Sequence, residues 1–544
     1  MQSLPTAAPA PGRVVPEPPS RRRSAAERIA AVPWPLLALL GVQAALSVRL
    51  LRLNSAFLDE ATYIYAGHQE IDHWIHGWSI PAYSTYFAGA PTLYPPLAAT
   101  ADHFGGLIAA RLLSLAFLLW ATVMLWATAR LLFGRVAAFT ACAIFISLGP
   151  TQALGAFATY DPMAFALLVT GVYCAVRAAD ASEDAMWWPL CALLIALSDA
   201  TKYTMLLWNP FIIAIVMIRA YPRVGRAAVI RRAAGITALA AALLALGLAV
   251  GGAFYVEGIT STTLNRASSS TSRSVILHDV WHWVGWSLVF GVLGLLVAAL
   301  LRRSRLQIAL LGTLVLASIV APLNQLRIYT GTSLEKHVDF GAWFACLAAG
   351  YVAMELSGAL PKLSRVLPEA YRAVARLLRG TPFRLGTALL LTGVALLATA
   401  SPGAATADAF FHDWPSGQPV AQDMARFVKA GQTQYLVEDY DVEAYYLHNL
   451  ASWHQWDNTW SFSYYSHADH QMISGVPAYI AAIKNHYFAL IVLNYGDTVA
   501  TDKLIAATIQ SCPDKCGYHI VDQVPYTGAA WRGQFTIWQY QGVR

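Results

Sequence analysis

Charge is scarce in this sequence. Asp, Glu, Lys and Arg make up 12% of its 544 residues, against about 25% in an ordinary soluble domain. That shortage excludes a water-soluble protein of ordinary composition. A net charge of only +6 gives no ground for a nucleic-acid partner. Cysteine is sparse too, six in all. Cys142, Cys174, Cys191 and Cys346 lie in apolar runs and read as small core residues. Cys512 and Cys516, in the stretch CPDKC, are too few ligands for a metal centre even with His519 nearby. In an oxidising compartment they read as a local disulfide. The chain also lacks a Walker loop, a nucleophile elbow and a Rossmann glycine fingerprint. A nucleotide sugar held in a Rossmann fold is therefore not the expected donor for any transfer chemistry. Residues 1–32 carry no apolar core of the kind a signal peptide needs, and their Pro, Ala and Arg content predicts a disordered cytoplasmic tail.

Apolar residues stand where charge is missing, at 57% of the chain. Runs near 33–53, 106–128, 135–153, 160–178, 186–200, 204–220, 233–256, 281–301, 306–322, 340–357 and 385–401 approach the length that crosses a bilayer. The expected fold is a polytopic α-helical membrane protein with about eleven spans over residues 33–401. Arginine clusters before the first run, after the second, the sixth and the eighth, and with Lys362 after the tenth. The positive-inside rule makes those segments cytoplasmic. The first loop, 54–105, and the C-terminal region, 402–544, then fall outside the plasma (inner) membrane. Segments YLVED (Tyr435–Asp439) and FALIVLNYG (Phe488–Gly496) have the pattern of buried strands ending at polar turns. They predict an extracytoplasmic α/β domain over 402–544. Its dense aromatics, as in WHQWDNTWSFSYY, fit either a glycan-binding face or a core with an interfacial belt.

Ionisable residues gather on that outer face. Asp59 and Glu60 open the first loop; Asp161 lies between the third and fourth runs, Lys202 between the fifth and sixth. Arg266 falls in loop 257–280, and the last outer loop carries Arg327, Glu335, Lys336 and His337. Each alone fits an interfacial group snorkelling to water. As a set, held by apolar helices over one cavity, they fit transfer from a lipid-linked phosphate: a carboxylate as base on an acceptor hydroxyl, and cations on the leaving phosphate. A divalent ion such as Mg²⁺ or Mn²⁺ at Asp59, Asp161 or Glu335 stays open, since carboxylates suit it. A transporter or lipid flippase is the rival. It would place charges near the midplane, between repeated halves, whereas this chain shows no internal repeat.

The Asp59-Glu60 pair, then Tyr94-Pro95-Pro96-Leu97, then Ala110-Arg111-Leu112-Leu113-Ser114 resembles the GT-C glycosyltransferases. The closest branch is the bacterial part of the protein O-mannosyltransferase group, which includes the aminoarabinose transferase of lipid A. Tyr160-Asp161-Pro162 and Thr201-Lys202-Tyr203 resemble its later outer-face motifs. The resemblance covers residues 33–350. It implies an inverting transfer from a polyprenyl-phosphate sugar to an envelope glycan, glycolipid or protein, with no cofactor certain. Asp59 is implied as base, Glu60 as a second acid that orients groups or binds the acceptor, Asp161 as an acid shaping the site, and Lys202 as the phosphate partner. Tyr63, Tyr94, Glu335 and His337 complete the expected substrate-binding set, and Arg266, Arg327 and Lys336 the expected phosphate-binding set. It also implies membrane-parallel helices in loop 54–105, for which Ala61–Ile75 is the candidate. Two positions depart from the aminoarabinose branch. Ala61-Thr62 follows the acid pair where a basic residue is expected, and Tyr94 stands where Lys precedes the two prolines. Either Lys202, Arg266, Arg327 and Lys336 compensate, or the donor head group binds differently.

Overall fold

The structure is a computed structural model. It describes residues 33–180, 186–265, 271–363, 381–431, 433–466, 470–528 and 532–542. The expected tail 1–32, Arg266 and most of the basic segment after the tenth apolar run lie outside them.

Hydrocarbon offers no hydrogen bonds, so a spanning segment must satisfy its own backbone, and long apolar runs fold as helices. In chain order the helices are α1 (Trp34–Val48), α2 (Leu58–His76), α3 (Tyr94–Phe133), α4 (Arg135–Ser147), α5 (Gly149–Leu154), α6 (Tyr160–Asp180) and α7 (Trp187–Thr201). There follow α8 (Asn209–Gly251), α9 (Ala253–Ile259), α10 (Arg273–Leu300), α11 (Arg305–Ile328), α12 (Leu334–Leu363) and α13 (Thr381–Phe410). Among the described residues seven helices are long and apolar enough to cross a membrane, and α1, α4 and α7 are shorter apolar helices. The expected runs fall on these helices. One difference is that the sixth and seventh runs share α8. The basic stretch between them is helical, with the backbone leaving the helical region at Gly225 (φ +73°). Arg219 and Arg223 there both pair with Asp180 at 2.9 Å.

Position in the bundle follows polarity. The span within 203–251 is only 17% buried and faces outward, whereas the span 334–358 is 83% buried. That central helix, α12, is the one that carries Lys336, His337 and Asp339, all buried. Polar side chains at membrane depth belong inside the bundle, and this one holds them there.

Beyond α13 the chain forms α14 (Gln418–Met424), α15 (Asp441–Tyr446), α16 (Val476–Lys484), α17 (Val499–Ser511) and a mixed sheet. Strands β1 (Gln434–Val437), β2 (Trp456–Asn458), β5 (Phe488–Leu493), β6 (Tyr518–Thr527) and β7 (Arg532–Tyr540) lie in the order β2-β1-β5-β7-β6. β1 is parallel to β2 and β5, while β7 is antiparallel to β5 and β6. β3 (Ser463–Ser466) and β4 (Gln471–Ser474) make a separate antiparallel pair. Both strands expected from the sequence are present. Their alternation sets two faces. Tyr435, Val437, Leu490 and Val492 pack in one cluster with Ala61, Tyr65 and Tyr94 of the first loop. Leu436, Ile491 and Leu493 pack with Ile483 and Ile505 of the covering helices. Cys512 and Cys516 are joined as a disulfide, Cα atoms 5.2 Å apart.

The sheet domain is thus seated on the first loop. Tyr446 Oη accepts from Ala56 N–H at 2.9 Å, Ser55 Oγ accepts from Gly417 N–H at 3.0 Å, and Tyr445 Oη donates to Asp102 at 2.6 Å.

Candidate active site

Asp59 and Glu60 both fall in the first turn of α2, where the helix dipole favours negative charge. Their neighbourhoods differ. Glu60 and Arg111 are fully buried. The guanidinium spans both carboxylate oxygens, Nε to Oε1 at 2.8 Å and Nη2 to Oε2 at 2.7 Å. Glu60 also accepts from Ala158 N–H at 2.7 Å and Phe57 N–H at 2.9 Å. Arg111 spends its remaining donors on the carbonyls of Leu51 (2.6 Å), Asn54 (3.1 Å) and Ser55 (2.9 Å). Four donors meet Glu60, so no lone pair is left over for a substrate. The pair ties the turn before α2 to α3.

Asp59 remains 31% exposed and pairs with the buried Nζ of Lys336 from α12. Lys336 also lies 5.5 Å from the Phe57 ring centroid. A second pair sits beside it: Lys202, at the end of α7, holds Asp161 in the first turn of α6. Lys202 lies 5.1 Å from the Tyr160 ring centroid, and the Tyr160 ring is 4.4 Å from that of Tyr63. Burial first, and then the Asp59 charge, push the Tyr63 phenol well above its ordinary range. It stays a neutral hydroxyl against the two ion pairs.

Close backbone approach fixes Lys202. Ala90 N–H donates to Ala200 O at 2.8 Å and Tyr203 N–H to Ala88 O at 2.9 Å. A Cβ on Gly89 would stand 2.0 Å from Thr201 O, so only glycine fits between.

The other expected residues divide. His337 is buried with Nδ1 3.1 Å from Gln325 Nε2. Glu335 is half-buried next to Lys336. Arg327 is exposed and bonds Asn324 at 3.1 Å. Tyr94, the first residue of α3, is fully buried, its hydroxyl 3.0 Å from Ser114 Oγ, and packs in the cluster that holds Ala61 and Tyr65 of α2. Arg266 lies outside the described residues. Among the described residues no three His, Cys, Asp or Glu side chains converge as a metal would require, and Asp59 and Asp161 are each met by a lysine. Sequence reasoning missed Arg111 as a partner of Glu60, although an arginine inside an apolar run was the available signal.

No family model matches the sequence, and no curated protein matches it. Solved structures do resemble it. The crystal structure of ArnT from Cupriavidus metallidurans bound to undecaprenyl phosphate aligns with a TM-score of 0.56 at 17% identity, over 93% of this chain and 98% of that one. The apo state of the same protein gives 0.56 at 16%. The Archaeoglobus fulgidus oligosaccharyltransferase AglB, in complex with an inhibitory peptide and a dolichol-phosphate, gives 0.52 at 13%, over 92% of this chain and 74% of that one. At these identities the likeness is one of fold, and it runs through both the helical bundle and the C-terminal sheet. The chain is a polytopic helical membrane protein with a C-terminal mixed sheet, and it shares its overall fold with ArnT and AglB.

Proposed function

We propose that this protein is an inverting glycosyltransferase that moves a sugar from a polyprenyl-phosphate donor to a hydroxyl of an envelope acceptor. The observation that carries the reading is the pairing of two buried lysines, Lys336 and Lys202, with Asp59 and Asp161 at one site. Buried cations of this kind suit a phosphate whose charge grows as the glycosyl bond breaks. That ArnT and AglB have been solved with undecaprenyl phosphate and dolichol-phosphate supports a lipid phosphate as the donor's leaving group.

In this mechanism the donor phosphate competes with Asp59 for Lys336. Its arrival releases the carboxylate, which then accepts the acceptor's hydroxyl proton as that oxygen bonds to the anomeric carbon. The bond from that carbon to the phosphate oxygen breaks, and its electron pair leaves with the polyprenyl phosphate. Attack opposite the leaving group inverts the anomeric centre. Asp161 holds Lys202 toward the phosphate, and Glu60 positions the Asp59 turn through Arg111. The distribution of basic segments supports an extracytoplasmic side for this site and the sheet domain.

Undecaprenyl phosphate binding to the purified protein tests the reading. Lys336→Met removes one charge-assisted contact, worth about 1.5–3 kcal/mol or roughly ten- to a hundredfold in affinity, and Lys336→Arg retains most of it. A Lys336→Met protein that binds the lipid phosphate as tightly as wild type would overturn the phosphate assignment.

A further inference from the structure

A cavity of about 580 Å³ opens between the first loop and the sheet domain. It lies at the carboxyl ends of the parallel strands β1 and β5, lined by Glu438 and Asp439 after one and Asn494 to Asp497 after the other. β2 lies on one side of β1 and β5 on the other, so this is the switch point at which open α/β sheets bind ligands. Its rim includes Phe57 and Leu58, the residues immediately before Asp59.

The lining is strongly acidic. Asp413, Glu438, Asp439, Glu443 and Asp497 face a single guanidinium, Arg532. Glu438 is engaged by the loop, accepting from the N–H groups of Asn494 (3.3 Å), Gly496 (3.1 Å) and Thr498 (2.8 Å). Glu443 is different. It is 97% buried, being 3% exposed, and its Oε2 has no hydrogen-bond partner. Asn494 Oδ1 is likewise buried without one. A buried acceptor left unpaired is costly, so each calls for a donor from a ligand. Burial pushes Glu443 up to about 8 and Asp439 up to about 7, as expected of carboxylates lacking a cationic partner. The rings of Trp414, Tyr495 and Phe535 supply apolar faces, which attract ammonium groups. Among the described residues the metal-ligand convergence that a bare divalent ion needs is missing here too.

We propose that this cleft is the acceptor subsite and takes an amine-bearing sugar residue, its ammonium donating to Glu443 and its hydroxyls to the neighbouring oxygens. The word acceptor rests on the glycosyltransferase reading above; the ligand chemistry does not. Next to the cleft, Asp441 lies against the Thr62 hydroxyl, one turn along α2 from Asp59, so an occupant of the cleft presents its hydroxyls toward the base.

The experiment is calorimetric titration of the full-length protein in detergent with a glucosamine trisaccharide, its N-acetylated counterpart and tetralysine. The expected result is saturable binding of the free-amine sugar, at least tenfold weaker binding of the N-acetylated one, and loss of at least tenfold in Glu443→Gln. Asp497→Asn, at the exposed rim, should weaken binding by a smaller factor without any risk to the core. Equal binding of the two sugars, no binding, tighter binding of tetralysine, or wild-type affinity in both variants overturns the proposal. Undecaprenyl phosphate affinity, measured in the same preparations, separates the two readings. Amine-sugar binding with Lys336-independent lipid binding sinks the donor site alone. Lysine-dependent lipid binding without amine-sugar binding sinks the cleft alone.

Discussion

Glu60→Gln distinguishes a positioning acid from a reacting one. The substitution keeps shape and volume but removes the charge facing a fully buried Arg111. Two charge-assisted contacts, at 2.8 and 2.7 Å, are weakened. The new amide also turns an N–H₂ group toward either the guanidinium or the N–H groups of Ala158 and Phe57. Breaking a buried pair by removing one partner costs about 3–5 kcal/mol, because the other charge is stranded. At roughly 2 °C per kcal/mol for a large domain, the melting midpoint in detergent should fall by about 6–10 °C. Asp59→Asn should lower that midpoint by less, since its carboxylate is one-third exposed and the buried Lys336 it leaves behind still faces the charges of Asp161 and Glu335. The assay is a thermal-shift series on the purified wild type, Glu60→Gln, Arg111→Met and the double variant. The two single variants should be far from additive, because they break one interaction. A Glu60→Gln protein that melts with wild type yet loses transfer activity would refute the positioning role and make Glu60 a reacting group.

Other outcomes follow from the same geometry. Gly89→Ala drives a Cβ to within 2.0 Å of Thr201 O; displacement of the Lys202 turn should cost about 1–3 kcal/mol and weaken undecaprenyl phosphate binding, and a variant with wild-type melting and binding would contradict the close approach. Glu443 gives a pH signature. Its folded pKa, about 8, lies above the ordinary value near 4.3, so the folded state holds the proton more tightly. Its contribution to stability is fully present below about pH 4 and is lost as pH rises through about 8. Glu443→Gln should therefore melt higher than wild type at pH 8.5, with the difference shrinking toward pH 5; parallel melting curves across that range would count against the burial argument.

Much of this molecule could be read from the sequence, for reasons tied to particular residues. Spanning helices announce themselves because hydrocarbon forces length and apolarity together. Tyr435–Val437 and Phe488–Leu493 were visible as strands because buried parallel strands are continuous apolar runs. The long hairpin of β6 and β7 was harder to see, since Pro525 and a register shift between Ile520 and Asp522 interrupt any regular alternation in β6. The acid and base types of the candidate site were legible, but their pairing was not. Lys336 and Asp59 stand 277 residues apart, and nothing local says that Lys336 rather than Arg327 reaches the first loop. The family resemblance gives Asp59 and Glu60 different roles, but nothing in the sequence shows a physical difference between them. Their separation into a saturated side chain and a half-open one depends on Arg111, which arrives from another helix. The unpaired Glu443 Oε2 could not be foreseen, because it depends on packing and not on residue type.

The proposed mechanism makes Asp59 the base in transfer from a lipid-phosphate sugar. Single-turnover transfer from a labelled polyprenyl-phosphate sugar, in the presence of cell-envelope extract, tests it most directly. Asp59→Asn should bind undecaprenyl phosphate at least as tightly as wild type, since Lys336 is released, while transfer slows by about 10²–10⁴-fold. Transfer that proceeds at the wild-type rate in the folded Asn variant would contradict it.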